Sequence, residues 1–156
     1  MYERILIYLS DEGPSRAAID EGLALARIHG SEVFFACVLP SFALPLADMP
    51  LATLPLPDDF EPSARRSAEA LLQQAREKAQ AAGIASRQEI AQGPEDAATV
   101  LQMAQAHRCQ LIVVASAGHN AVMRLLTGSV ISGLVTLSPI PLLICRGTPP
   151  NKTGAH

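Results

Sequence analysis

Two uninterrupted aliphatic runs place the strongest constraint on how this chain folds. They are LIVV at residues 111–114 and LLIC at residues 142–145. A strand with one face in water alternates apolar and polar residues, whereas a continuous apolar run of this length is typical of a strand buried on both faces. Such strands belong to parallel sheets that are covered by helices on either side. The two runs therefore predict an α/β fold.

Helical patterns alternate with strand-like runs along the chain. The strand-like runs are RILIYLS, EVFFACVL, a weaker ASRQEIA, QLIVVAS and PLLICR, and the helical patterns cover residues 14–29, 62–82, 94–107 and 125–137. The third helix opens with GPED, which predicts two carboxylates in its first turn. We predict a doubly wound, open, five-stranded parallel sheet with helices on both faces, a Rossmann-like α/β arrangement in a single domain. Ligands of such folds bind where the carboxyl ends of the strands meet.

The predicted domain covers residues 1–147, and residues 148–156 are predicted to form a flexible C-terminal tail. Within the domain, residues 40–62 form a proline-rich excursion that contains six of the twelve prolines. Proline opposes regular structure in this excursion, yet the segment also carries many apolar side chains. Two interpretations stay open: a surface excursion that packs its Leu and Phe side chains on the domain, or a lid or docking segment between Pro40 and Pro62 for an unidentified protein partner.

Charge and composition exclude several classes of function. The chain has 12 basic and 15 acidic residues, a net charge of −3, and no basic block, which excludes nucleic acid as a main partner. No apolar run approaches the roughly eighteen residues that span a bilayer, so we expect no membrane contact and a cytoplasmic protein. The three cysteines, Cys37, Cys109 and Cys145, lack close spacing and indicate neither a disulfide framework nor a metal site. We expect Cys37 and Cys145 to be small apolar side chains.

A glycine-containing stretch follows the fourth strand. In ASAGHNAVMRLLTGSV, residues 115–130, Gly118 follows the strand closely and Ser129 comes directly after Gly128. Backbone N–H groups approach a phosphate closely where glycine stands, and a helix N-terminus favours an anion. The Lys of a Walker loop and the three close glycines of a dinucleotide-binding turn are missing. The pattern alone therefore leaves open a phosphate cradle or an ordinary glycine turn.

This stretch, with the following SPIPLLICR, resembles the C-terminal signature of the universal stress protein family, whose ATP-binding members carry Gly-x2-Gly-x9-Gly-Ser/Thr. The resemblance covers nearly the whole chain, including ILIYLSDEGPSRAAIDEGLALARIHGSEV and AQGPEDAATV. It implies a fold like that of the adenine nucleotide alpha hydrolases. Gly118 and Gly128 match the second and third glycines, and Ser129 matches the hydroxyl that binds phosphate oxygens. Ala115 replaces the first glycine, which is compatible with binding if its φ is negative and the nucleotide does not press on its Cβ.

The N-terminal half of the implied site departs further from the family. The family usually has an Asp after its first strand that contacts the nucleotide near adenine and ribose, and Ser10 stands there, followed by Asp11. A Ser hydroxyl cannot bind in the bidentate way of a carboxylate. For Asp11, a turn or cap role and a ligand role both stay open. The nucleotide-binding residues that the resemblance implies are Leu9, Ser10, Asp11, Val38, Ser116, Gly118, His119, Arg124, Gly128, Ser129 and Val130.

Two functions are consistent with these residues. In the first, ATP or a related adenine nucleotide, with magnesium, is a regulatory ligand of a stress-response protein. In the second, the protein has lost the nucleotide and acts as a stress-associated dimer or scaffold through protein partners. We expect no enzymatic activity beyond weak ATP hydrolysis, because the sequence pairs no nucleophile with a base and contains no cluster of metal ligands. The resemblance also implies a homodimer formed through the last strand, between Leu142 and Cys145.

Overall fold

The computed structural model describes residues 1–10, 15–40, 60–94, 96–116 and 129–147. Their elements, in chain order, are β1 (Arg4–Tyr8), α1 (Ser15–His29), β2 (Glu32–Pro40), α2 (Phe60–Ala81), β3 (Ser86–Gly93), α3 (Ala97–Ala106), β4 (Leu111–Ser116), α4 (Ser129–Leu137) and β5 (Leu142–Arg146). The five strands form one sheet in the order β3-β2-β1-β4-β5, and every neighbouring pair is parallel. The predicted doubly wound parallel sheet is confirmed.

The central strands of the sheet are buried on both faces, which explains the apolar run at residues 111–114. The prediction of burial on both faces is wrong for the run at residues 142–145, because it forms the edge strand β5, in which Ile144 is 40% exposed. In β4, Leu111 and Val113 belong to a cluster with the buried side chains of α1 and α2. Ile112 and Val114 point the other way and belong to a cluster with the buried side chains of α3 and α4. Because successive side chains of a strand face opposite sides, a strand between two helical layers needs apolar residues at every position.

Two helices begin at positions different from those predicted. α2 begins at Phe60 and not at Pro62, because proline is tolerated in a first helical turn, where the missing N–H has no intrahelical partner to lose. α3 begins at Ala97, and Asp96 is its N-cap, whose carboxylate accepts the N–H of Thr99 at 2.9 Å. The first turn of α3 therefore lacks the carboxylates predicted there: Asp96 precedes it, and Glu95 lies outside the described residues.

The elements on either side of the proline-rich excursion extend into its predicted range. β2 includes Pro40, which pairs with Gly93 of β3, and α2 starts at Phe60. Residues 41–59, and with them both interpretations of the excursion, lie outside the described residues, as do residues 148–156. None of the helices in the described ranges is long and apolar enough to cross a bilayer.

All three cysteines are buried, and none of them is in a disulfide bond. Burial raises the pKa of Cys109 to about 11, an effect that the positive charge of Arg4 opposes only in part. Burial also raises the pKa of Cys145 above its usual value. Because the thiolate is the reactive form of cysteine, these side chains serve as apolar packing and are poor nucleophiles in the folded protein.

We expect Cys109 of the folded protein to react with iodoacetamide at pH 8 at least about a hundredfold more slowly than in the urea-unfolded protein. A pKa of about 11 leaves about a thousandth of the thiol ionised at that pH, against roughly a tenth for a thiol of pKa 9. Quenched alkylation followed by peptide mass spectrometry measures both rates. Similar rates in the two states would show that Cys109 is accessible and ionised, contrary to its position in the core.

Candidate functional site

The topology of the sheet marks one place for a ligand. β1 lies in the centre, and the chain passes from β1 to β2 on one side, whereas β4 and β5 lie on the other side. In open parallel sheets this reversal leaves a crevice beyond the carboxyl ends of the two central strands, here β1 and β4. The carboxyl end of β2 and the N-terminus of α4 border the same edge of the sheet. The candidate site therefore combines four chain segments.

The end of β1 is fixed by one buried hydroxyl. The N–H of Ser10 donates to Oγ of Ser15 at 3.1 Å, and the Ser15 hydroxyl donates to the carbonyl of Ser10 at 2.7 Å. Ser15 is the first residue of α1 and is 6% exposed. These two bonds hold the backbone of Ser10 against the start of α1. Ser15 is not among the binding residues that the family resemblance implies, although a Ser at the start of a helix is a recognisable signal for such a role.

Leu9 and Ser10 contribute different groups to this edge. The side chain of Leu9 is 1% exposed and lies in the cluster under α1 and α2, and its N–H donates to the carbonyl of Ala36 at 2.8 Å. Leu9 therefore offers a ligand only its main chain. Ser10 is half-buried and places a neutral hydroxyl where a carboxylate was expected for the family. Asp11 lies outside the described residues.

Val38 lies inside β2, because the strand continues to Pro40 and does not end at Val38. Its side chain is 7% exposed and packs in the cluster under α3 and α4. The carbonyl of Ala36 points towards β1, where it accepts the N–H of Leu9. Main-chain polar groups two residues apart in a strand point to the same side, so those of Val38 point beyond the end of β1, into the crevice. The backbone of Val38, and not its side chain, borders the candidate site.

The end of β4 explains how alanine fits at the first position of the glycine motif. Ala115 pairs with Cys145, and its side chain packs against the cluster under α1 and α2. Among the described residues other than glycine, only Arg108 has a positive φ, so Ala115 has the ordinary negative φ of a strand. The next residue, Ser116, accepts the N–H of Gly147 at 3.0 Å through its carbonyl, so its main chain faces β5. The structure thus meets the condition that φ of Ala115 is negative.

α4 begins at Ser129, directly after the glycine motif. The first N–H groups of a helix have no partner inside the helix and favour an anion. The side chain of Val130 is 9% exposed and packs in the cluster under α3 and α4, so only its main chain is available to a ligand. Gly118, His119, Arg124 and Gly128 lie outside the described residues, and their predicted roles stay predictions.

One groove among the described residues lies away from this crevice. A groove of about 410 Å³ runs between α1 and β5 and is lined by residues that include Arg16, Glu21, Leu143 and Arg146. It follows the edge strand and not the central strands, so we do not assign the candidate site to it.

In the part of the chain that the structure describes, no three His, Cys, Asp or Glu side chains are grouped in a way that could hold a metal ion.

The chain is similar to one protein family and to several solved structures of that family. The sequence model of the universal stress protein family matches residues 1–146. Universal stress protein UspA from Lactobacillus plantarum has a TM-score of 0.74 and 22% identity, with 93% of this chain and 98% of that chain covered. The universal stress protein from Archaeoglobus fulgidus in complex with dAMP has a TM-score of 0.65 and 15% identity, covering 92% and 98%. A universal stress protein family protein from Arabidopsis thaliana with AMP bound has a TM-score of 0.66 and 16% identity, covering 95% and 96%.

At identities of 15–22%, the structural likeness shows only the fold. The assignment of the chain to a family rests on the match of the family's sequence model. The match extends over 146 of the 156 residues, from β1 to the end of β5, and includes every element described above. The chain therefore belongs to the universal stress protein family.

Proposed function

We propose that this protein binds ATP or a related adenine nucleotide in the crevice beyond β1 and β4, as a regulatory ligand in a stress response. The observation that carries the proposal is the meeting of three strand ends and the N-terminus of α4 at the topological switch point. The match of Gly118, Gly128 and Ser129 to the family motif supports it. The dAMP and AMP bound by the relatives from Archaeoglobus fulgidus and Arabidopsis thaliana support an adenine nucleotide as the ligand.

In the proposed complex, the nucleoside lies at the ends of β1 and β2. The main chain of Val38 would contact adenine, and the hydroxyl of Ser10 would take the place of the family's carboxylate with a single hydrogen bond. Asp11 is the nearest carboxylate in sequence. Because Leu9 and Val38 contribute only main-chain groups, binding at this end would depend, apart from the Ser10 hydroxyl, on where the backbone lies.

The phosphates would lie at the other end of the crevice, against Gly118, Gly128 and the first turn of α4. Backbone N–H groups of this turn, including that of Val130, and the hydroxyl of Ser129 would bind phosphate oxygens. Arg124 would neutralise part of their charge, and His119 and Ser116 would lie alongside. Magnesium would be bound through the phosphates of ATP, as it commonly is. We propose no catalysis beyond weak ATP hydrolysis, since these groups include no nucleophile paired with a base.

Thermal unfolding tests the proposal directly. With ATP and magnesium at about a hundred times Kd, bound nucleotide adds about 2.7 kcal/mol to the free energy of unfolding, which raises Tm by roughly 5–10 °C in a chain of this size. The same measurement with AMP tests whether adenosine with a single phosphate is sufficient for binding. Mass spectrometry of the purified protein detects any nucleotide carried through purification.

The matched variant for this experiment is Gly118→Val, which places a branched side chain where the family motif brings the phosphates close. We expect it to abolish the rise in Tm. If the unmodified protein shows neither a rise in Tm nor a co-purified nucleotide, the proposal is wrong. That result would favour the second function, a nucleotide-free scaffold that meets protein partners through the segment between Pro40 and Pro62.

The corner between β1 and α1 gives a second test. Ser15→Ala removes the hydroxyl that bonds both polar groups of the Ser10 backbone, and we expect a loss of about 1–3 kcal/mol in the free energy of unfolding. Because Ser10 then loses its fixed position, ATP binding should weaken by about tenfold in isothermal titration calorimetry.

Ser31→Ala is the control for this variant. Ser31 is equally buried, at 5% exposure, and its hydroxyl donates to the carbonyl of Tyr2, at the opposite edge of the sheet. We expect Ser31→Ala to lower Tm without changing the affinity for ATP. Equal affinities of the two variants would show that the Ser15 bonds matter for folding alone.

We also propose that the protein is a homodimer that pairs through β5. β5 is an edge strand of the described sheet, and edge strands present a row of main-chain groups that favour pairing with another strand. Apolar side chains are exposed on this strand and on the helix that precedes it in the chain: Ile144 of β5 is 40% exposed, and Val135 and Leu137 of α4 are 62% and 63% exposed. An edge of this composition suits a second copy of the chain.

We expect Ile144→Lys to convert the dimer to a monomer in sedimentation velocity, because a two-fold interface would bring two lysines close together. Ile144 is a better position for this test than Leu143, which packs partly against the core cluster. Ile28→Lys is the control, since Ile28 is an exposed apolar residue near the end of α1, 77% exposed. An Ile144→Lys protein that sediments as the parent does would place the interface elsewhere.

A further inference from the structure

α3 and α4 approach each other at a point where neither has room for another atom. A Cβ built on Gly133 of α4 would lie 2.6 Å from Cβ of Ala97, the first residue of α3. Real Cβ atoms essentially never have a neighbour closer than 3.0 Å. α4 can therefore lie where it does only because residue 133 is glycine and residue 97 is no larger than alanine.

Ala97 is held in a way that prevents it from moving aside. Its side chain is a single methyl group attached to the backbone, and the residue is 4% exposed. The turn around it is fixed by the Asp96 cap, which accepts the N–H of Thr99 at 2.9 Å, and by the Thr99 hydroxyl, which donates to the carbonyl of Pro94 at 2.8 Å. Because these bonds fix the shape of the turn, an enlarged contact could be relieved only by a shift of α4 relative to α3.

The contact lies one helical turn from the start of α4. Gly133 follows Ser129 by four residues, so the two positions lie on the same side of the helix, one above the other. A displacement of α4 away from Ala97 therefore moves the first turn in the same direction. Val130 and Leu134, which are buried beside this contact, would move with it.

We infer that Gly133 is a positioning residue for the nucleotide: its contact with Ala97 sets where the first turn of α4 lies over the ends of β1 and β4. This inference rests on the proposed function, because that turn is the end that would bind the phosphates. Gly133 touches no ligand in this arrangement and acts through the N–H groups of the turn.

A swap of the two side chains tests the inference. Gly133→Ala adds the clashing methyl group, and Ala97→Gly in the same protein removes the methyl group that it meets. We expect Gly133→Ala to weaken ATP binding by about tenfold in titration calorimetry, the scale of one misplaced hydrogen bond, and the double variant to return to within about twofold of the parent. Alanine normally stabilises a helix relative to glycine, so a lower Tm of Gly133→Ala would itself report the clash.

Ala79→Gly is the control for a general loss of stability. Ala79 is fully buried in α2, on the opposite face of the sheet from α4, and glycine there weakens the helix. We expect a lower Tm and an unchanged affinity for ATP. If Gly133→Ala does not fold, Ala97→Ser, which enlarges the same contact by one atom, replaces it, with weaker binding expected again.

The outcomes separate this inference from the proposed function. If the parent protein binds ATP and Gly133→Ala binds equally well, or if Ala97→Gly does not restore binding, Gly133 does not position the site. If the parent protein binds neither ATP nor AMP, the proposed function is wrong and this inference falls with it. Weaker binding that the swap restores, with an unchanged affinity in Ala79→Gly, supports both.

Discussion

The burial of the central strand on both faces is the constraint on which the rest of this structure depends. Ile5, Leu6 and Ile7 of β1 are each fully buried, with successive side chains in opposite clusters and parallel neighbours on both sides. At Ile5, Leu6 and Ile7 neither face meets water, so polar side chains are disfavoured at these positions. Main-chain groups that no neighbouring strand pairs become available only where the strand ends, near Leu9 and Ser10. A site on this sheet is therefore expected at the ends of its strands, and the candidate site lies at their carboxyl ends.

The geometry of that edge is set by helices packed on both faces. On one face, the Ser15 hydroxyl binds both main-chain polar groups of Ser10 and joins the end of β1 to the start of α1. On the other face, the close contact of Gly133 with Ala97 determines how near α4 lies to α3. Both contacts act directly on backbone positions. They involve small side chains because only a small side chain lets two backbone segments come so close.

The order and type of the elements could be predicted from sequence because both follow from local patterns. The run at residues 111–114 predicted a buried strand, and the long Ala-rich and Leu-rich pattern predicted α2. The ends of the elements were less predictable, because several residues suit either side of a boundary: Pro62 fits inside a first turn, and Asp96 caps α3 from outside. Ser15 is recognisable from sequence as a residue at a helix start, but its bonds to Ser10 and the contact of Gly133 with Ala97 could not be predicted, since they depend on how α1 and α4 pack. The family resemblance pointed to the chemical groups of the site, and the structure gave the contacts that hold Ser10 and α4 in place.

Because Ser10 stands where the family has a carboxylate, nucleotide binding in the proposed site would depend more on the position of the backbone. A carboxylate accepts strong, charge-assisted hydrogen bonds on two oxygens, whereas a main-chain N–H or carbonyl makes a weaker bond that depends closely on distance and angle. Leu9, Val38 and Val130 offer the proposed site only main-chain groups, because their side chains are buried. Affinity in such a site would follow from the accuracy with which the backbone is placed. For this chain, the residues with the largest effect on nucleotide binding are then expected to include packing residues that never touch the nucleotide, and sequence motifs built on ligand contacts would not contain them.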